Sequence, residues 1–184
     1  VIGEVDHREI TMVDAMKELG PKAAAVLAVG TCSAYGGIPA AAGSQTGAKS
    51  VRDFFETEKI ATPVVNIPGC PPHPDWIVGT VTVALDAIKK HGLADGLGEV
   101  VKILDDEGRP TPFFGENIHD NCPYLDDFDN DVMATKFTEV KGCRMELGCK
   151  GPDTNSDCYK RKWNNGINWC VQNAVCIGCV EPDF

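Results

Sequence analysis

No stretch of this 184-residue chain reaches the roughly 18 uninterrupted apolar residues that a membrane-crossing helix requires. Nor does its start carry the basic, then apolar, then small-residue layout of a secretory signal. Basic residues are few: 17 Lys and Arg stand against 27 Asp and Glu, giving a formal charge of −10 and a pI near 4.8. A field of that sign repels nucleic acid and anionic lipid and favours a basic protein partner. Internal repeats and low-complexity tracts are absent, and no cysteine precedes Cys32. The chain opens at Val1 without a methionine and stops at Phe184, as expected of a processed chain or a piece of a longer one.

What is present suffices for a core. With 43% hydrophobic and 24% charged residues, a chain of this length makes one large domain or two small ones without disulfide staples. Nine cysteines are the main compositional signal, and an odd number cannot all pair within the chain. They are unevenly spread: Cys32 and Cys70 stand alone in the first 118 residues, and seven lie between Cys122 and Cys179.

The first region alternates helices and strands. Thr11 to Leu19 reads as a short helix stopped by Gly20-Pro21, and Ala23 to Val29 as a strand buried on both faces. Ser50 caps a helix over Val51 to Lys59, and Pro63 to Ile67 forms a second strand. A longer helix runs from an Asp75 cap to Lys90, with Lys89, Lys90 and His91 favourable at its C-terminus and Gly92 ending it. This β-α-β-α order predicts an α/β fold with a mostly parallel sheet. Val100 to Leu104 and the turn at Asp106-Glu107-Gly108 suggest a strand end or hairpin. Beyond Pro112 no period is sustained and apolar residues are sparse between cysteines, so bound metal is expected to hold that region together.

Cys32, in Gly30-Thr31-Cys32-Ser33-Ala34-Tyr35-Gly36-Gly37, follows the first strand, and Cys70, in Pro68-Gly69-Cys70-Pro71-Pro72-His73-Pro74, follows the second. Open α/β sheets bind ligands outside such strand ends, so both thiols can face one site. Glycines there permit close backbone approach and prolines stiffen the loop. Two unrelated buried thiols would be the bland alternative. His119 and Cys122 are three apart and can reach one metal centre, with Cys143 and Cys149 completing a four-donor set. A lone histidine is more often structural than ligating, but this one stands among thiols. Cys158, Cys170 and the Cys176-Ile177-Gly178-Cys179 pair form the last set. The C-x-x-C spacing alone leaves zinc, iron–sulfur and dithiol chemistry open. A catalytic dithiol is disfavoured by the missing βαβ context. Zinc and iron–sulfur stay comparable on spacing. The strand-end pair lacks two donors for zinc, and the remaining seven cysteines and one histidine divide into two sets of four. Thiolate-bound clusters in series have one obvious use, the passage of single electrons.

Taken in order, Gly30-Thr31-Cys32, Gly36-Gly37-Ile38-Pro39, the Pro68 to Pro74 segment, the His119/Cys122 pair, Glu146-Leu147-Gly148-Cys149-Lys150-Gly151-Pro152 and Cys176-Ile177-Gly178-Cys179 closely resemble nickel–iron hydrogenase small subunits, over nearly the whole chain. The resemblance implies a flavodoxin-like domain over about residues 1–108 and a mostly irregular iron–sulfur cluster domain over 109–184. It implies an oxidoreductase relaying electrons in hydrogen oxidation and proton reduction, with no catalytic residue in this chain. The nickel–iron or nickel–iron–selenium centre would lie in a separate large subunit, and a multihaem c-type cytochrome with a basic surface would be the external carrier. Export with that large subunit implies the periplasm. Carried over by motif, Cys32 and Cys70 would bind a proximal 4Fe-4S cluster; His119, Cys122, Cys143 and Cys149 a distal one; and Cys158, Cys176 and Cys179 a medial one.

Two departures from the family pattern matter. Where the family usually has proline and a three-iron 3Fe-4S medial cluster, this chain has Cys170, which implies a medial 4Fe-4S cluster of the nickel–iron–selenium branch. The family also places a Cys-x-x-Cys near the amino end, absent before Cys32, so only two of four proximal ligands are present among the three 4Fe-4S sites expected. At the distal site, neutral His119 in place of a thiolate should raise the potential, which suits an electron exit. The rivals are a structural zinc protein and a quinone-reductase-type subunit related through the proximal domain, which would leave seven cysteines unused.

Overall fold

The computed structural model describes residues 1–184, the side chain of Asn173 excepted. Its first elements are a small antiparallel hairpin, β1 (Gly3–Val5) and β2 (Arg8–Ile10), and a helix, α1 (Met12–Leu19). The start of α1 is fixed by a reciprocal cap. Thr11 Oγ1 accepts from the Asp14 amide at 3.1 Å, and the Asp14 carboxylate accepts from the Thr11 amide at 2.9 Å.

Strands β3 (Val26–Val29) and β4 (Val64–Ile67) pair in parallel, Val26 opposite Val64 and Val29 opposite Ile67. The first strand is shorter than its apolar run predicted. It is also less enclosed: Ala28 is buried but Val29 is exposed, because β4 is its one sheet neighbour among the described residues. Three helices lie between the strands: α2 (Thr31–Tyr35), α3 (Gly37–Ala40) and α4 (Val51–Glu58), the last capped by Ser50 Oγ on the Asp53 amide at 3.0 Å.

After β4 comes α5 (Pro74–His91), and its cap differs from expectation. The N-cap is His73, whose Nδ1 accepts from the Asp75 amide at 3.1 Å, while Asp75 sits in the first turn beneath Pro74. Helix α6 (Leu93–Lys102) then occupies part of the segment expected as a strand end. The Asp105 to Gly108 turn is closed by a single antiparallel bridge between Leu104 and Pro110. The remaining helices are short: α7 (Thr111–Phe114), α8 (Leu125–Asp129), α9 (Cys158–Arg161) and α10 (Cys170–Asn173).

The cysteine-rich half is better buried than its composition suggested. Phe113, Phe114, Ile118, Trp169, Val171 and Val180 join Ile67 and Trp76 in one core, which also takes in Cys158 and Cys176. Gly79 lets α5 approach α7, since a Cβ there would meet the Phe113 ring at 2.5 Å. Trp76 anchors the junction: its Nε1 donates to buried Asp157 at 2.7 Å, and Arg161 holds the other carboxylate oxygen at 2.7 Å. Trp76→Phe should therefore lower stability by roughly 1.5–3 kcal/mol, the usual contribution of a hydrogen bond to a charged group. Guanidinium unfolding of the metal-loaded protein checks this, and an unmoved midpoint refutes it. Among the described residues, no helix is long and apolar enough to cross a membrane.

Candidate metal-cluster sites

The two strand-end loops lie side by side. Beyond β3 and β4, the Gly30 amide donates to the Ile67 carbonyl at 2.8 Å and the Thr31 amide to the Gly69 carbonyl at 3.1 Å. The Gly69 amide returns a bond to Thr31 Oγ1 at 2.9 Å. Cys32, in the first turn of α2, and Cys70, in the loop after β4, thus sit at adjoining strand ends, and both are exposed. Backbone packs tightly behind Cys32: a Cβ on Gly37 would meet its amide nitrogen at 3.1 Å and its sulfur at 3.3 Å, and Gly37 has a φ of +51°.

His119, Cys122, Cys143 and Cys149 all line one cavity, with about 370 Å³ of empty space counted out to its open mouth. His119 and Cys122 bracket a single 3₁₀ turn, His119–Asn121, whose first amide is held by Asn117 Oδ1 at 2.7 Å. The imidazole stands edge-on to Phe128, with ring centres 4.6 Å apart. Its Nε2 is buried without a hydrogen-bond partner among the described residues. A buried, unbonded imidazole nitrogen is costly, and a metal ion on the cavity side would satisfy it.

Cys158, Cys170, Cys176 and Cys179 line a second cavity of about 870 Å³ counted to its open mouth, with Cys70 on the same wall. Buried Ile118 faces both cavities and separates them. Sulfur contacts also cross the boundaries between the sites. The Cys149 sulfur accepts from the backbone amides of Gly151 and Cys176, and the Cys179 sulfur from the backbone amide of Cys70. Lys150 in turn donates its amide to the Cys176 carbonyl at 2.8 Å.

Burial dominates the thiol energetics. It raises Cys122, Cys149 and Cys179 and pushes Cys158 up to about 11. Cys170 donates its S–H to Cys176, which raises Cys170 and lowers Cys176. Ligation requires thiolates, so metal loading must release protons from this set. Around Cys158, Ser156 Oγ donates to the sulfur at 2.9 Å and Trp163 adds a second donor.

Among the described residues, no three His, Cys, Asp or Glu groups are gathered closely enough to hold a single ion. Zinc needs its donors about 2.0–2.3 Å from one point. Donors that ring a cavity suit a larger inorganic body, and soft thiolates suit iron–sulfur clusters. The residues present therefore fit the group expected from the sequence. Nothing in the sequence alone marks Ile118, Arg144, Ser156 and Trp163, which line the two cavities beside the donors. Thr31 adjoins Cys32 and its hydroxyl donates to the Cys179 carbonyl.

A family model describing the C-terminal part of the NiFe/NiFeSe hydrogenase small subunit matches residues 114–184, and one describing the 20 Kd subunit of NADH ubiquinone oxidoreductase matches residues 1–84. The chain is 61% identical to the periplasmic [NiFeSe] hydrogenase small subunit of Desulfomicrobium baculatum, over 97% of its own length and 55% of that relative. It is 40% identical to the periplasmic [NiFe] hydrogenase small subunit 1 of Nitratidesulfovibrio vulgaris, over 95% of its length and 52% of that relative. The chain thus spans about half the length of these curated relatives. Among solved structures, a recombinant [NiFeSe] hydrogenase from Desulfovibrio vulgaris Hildenborough superposes with a TM-score of 0.98 at 72% identity, over 100% of this chain and 65% of that one. A quinone-reductase-type assignment accounts for the first 84 residues only, whereas hydrogenase small subunits account for both halves.

Proposed function

The chain belongs to the small-subunit family of NiFe and NiFeSe hydrogenases, and from that premise we propose that it carries electrons between a hydrogen-converting centre in a partner large subunit and an external acceptor. The observation that carries this reading is the gathering of eight donors from distant parts of the chain into two four-donor cavities on either side of Ile118. Bound there, iron–sulfur clusters accept and return one electron at a time. His119, Cys122, Cys143 and Cys149 would hold the distal 4Fe-4S cluster, and Cys158, Cys170, Cys176 and Cys179 a medial 4Fe-4S cluster. Cys32 and Cys70 would supply two ligands of a proximal 4Fe-4S cluster. On this reading residues 1–108 and 109–184 divide into a flavodoxin-like and a cluster-binding domain.

The chain's own groups shape the relay. Buried Ile118 lines both cavities, with buried Val171 on the first and buried Val180 on the second, so apolar side chains lie along the path between the two sites. Ser156 and Trp163 donate to the Cys158 sulfur and favour extra negative charge on it. The amides of Cys176 and Cys70 do the same for Cys149 and Cys179 while joining neighbouring sites. An acidic chain of net charge −10 suits a basic carrier such as a multihaem cytochrome. The periplasm, named for the relatives, is the compartment assigned.

Iron, zinc and acid-labile sulfide should be measured on the purified small subunit in complex with its large subunit. Three 4Fe-4S clusters require about twelve irons beyond those of the large subunit. About eight would remove the proximal cluster from the relay, and zinc in place of iron would overturn the assignment.

A further inference from the structure

Arg144 follows Cys143 directly and lines the His119 cavity, yet it plays no part as a ligand. Its residue is 7% exposed. One terminal nitrogen donates to the carbonyls of Val171 at 2.6 Å and Ala174 at 3.0 Å, and the other to the Glu139 carbonyl at 3.3 Å. The guanidinium carbon lies 4.8 Å from the Tyr124 ring centre. Its Nε is buried with no acceptor among the described residues. Neutral carbonyls and a ring are therefore its named partners.

The contrast with the chain's other buried guanidinium is informative. Arg109, 4% exposed, holds Asp105 at 2.7 Å and Glu181 at 2.8 Å. Arg161 likewise holds Asp157 at 2.7 Å. Among the described residues, no carboxylate lies within ion-pair reach of Arg144, although arginine keeps its charge and a buried charge is costly unless paired. Acidic residues outnumber basic ones in this chain, so the missing partner is not explained by a shortage of carboxylates. What stands near Arg144 is sulfur: Cys143 beside it in sequence, Cys122 and Cys149 on the same cavity, and Cys170 next to the Val171 carbonyl it grips.

We propose that Arg144 is the fixed counter-charge of the distal and medial clusters, holding their reduction potentials up by offsetting the negative charge that thiolate ligation and reduction place in a buried region. The inference rests on the cluster assignment made above and deepens it. Arg144 is a positioning and tuning residue and touches no reacting atom. Its effect is larger at the distal site, whose cavity it lines, and smaller at the medial site, which it reaches through the Val171 and Ala174 carbonyls of the Cys170 segment.

The test is a potentiometric titration followed by electron paramagnetic resonance on the whole heterodimer, comparing wild type with Arg144→Met, Arg144→Gln and Arg144→Lys. Either neutral variant should make the distal cluster at least tenfold harder to reduce, a fall of about 59 mV for a one-electron couple, with a smaller fall at the medial cluster. Arg144→Lys keeps the charge and should stay near wild type. Loss of clusters in both neutral variants but not in the lysine variant also supports the counter-charge. Intact clusters with unmoved potentials in a neutral variant, or equal shifts or equal cluster loss in the lysine and neutral variants, would mean that the hydrogen bonds matter and the charge does not, overturning the inference alone. A wild-type complex without iron and sulfide at these sites overturns the relay reading and this inference with it.

Discussion

Replacing Cys170 with proline should convert the medial site from four irons to three while leaving the fold intact. The local geometry accepts proline. Cys170 is the first residue of α10, where a helix amide has no internal acceptor and proline's φ is already suitable. The preceding residue, Trp169, is extended at φ −143° and ψ 175°, the region that proline imposes on its predecessor. What the variant loses is the thiol that shares the cavity with Cys158, Cys176 and Cys179 and donates to the Cys176 sulfur. The oxidised variant should show a three-iron paramagnetic signal absent from the parent, and iron should fall from about twelve to about eleven per small subunit. With one thiolate fewer, the site should also become easier to reduce. An oxidised variant without a three-iron signal refutes the assignment of Cys170 as ligand.

His119→Ala should have the largest effect on throughput. The substitution removes the one nitrogen donor of the distal set, leaves Cys122, Cys143 and Cys149 with three thiols, and opens a hole against Phe128. Loss of an outer-shell partner of a metal ligand typically costs 10–100-fold, so removing a ligand from the exit site should slow hydrogen-driven reduction of the external carrier by more than about 100-fold. Isotope exchange between hydrogen and water, which needs no electron to leave the large subunit, should be far less affected. His119→Cys separates ligation from imidazole chemistry: it should retain a cluster, at lower potential because a thiolate replaces a neutral ring. Equal loss of exchange and carrier reduction in His119→Ala would point to collapse of the complex, and unchanged carrier reduction would remove His119 from the relay.

Much of the candidate site was legible because metal chemistry concentrates its signal in few residue types. The grouping of His119, Cys122, Cys143 and Cys149, and of Cys158, Cys170, Cys176 and Cys179, follows from counting donors along the chain, and each group lines one cavity. The wall between them does not announce itself. Ile118 looks like any core residue, and Arg144 like a loop charge between two cysteines, until distant carbonyls are seen to surround it. In the fold, caps and apolar runs located α1, α4, β3 and β4 to within a few residues. Helix α6 is hidden in the sequence because Val100 and Val101 favour strands and Gly96 and Gly98 weaken a helical pattern. Packing overrides those preferences: a Cβ on Gly96 would meet the α5 backbone at Ile88 at 2.5 Å, so the glycine is what lets the two helices touch. His73 does not stand out as a cap because Asp75, two residues on, is the commoner capping type.

The backbone of Cys176 has a consequence for how the protein is built. Its amide bonds the Cys149 sulfur of one cavity, its carbonyl is held by Lys150, and its own sulfur belongs to the other cavity. Whichever site is filled first therefore freezes backbone that the second needs, and the ordering entropy left for the second is smaller. Maturation should be cooperative, with half-loaded chains scarce. A cell delivering inorganic sulfur and iron to this chain would meet an acceptor that is nearly empty or nearly complete.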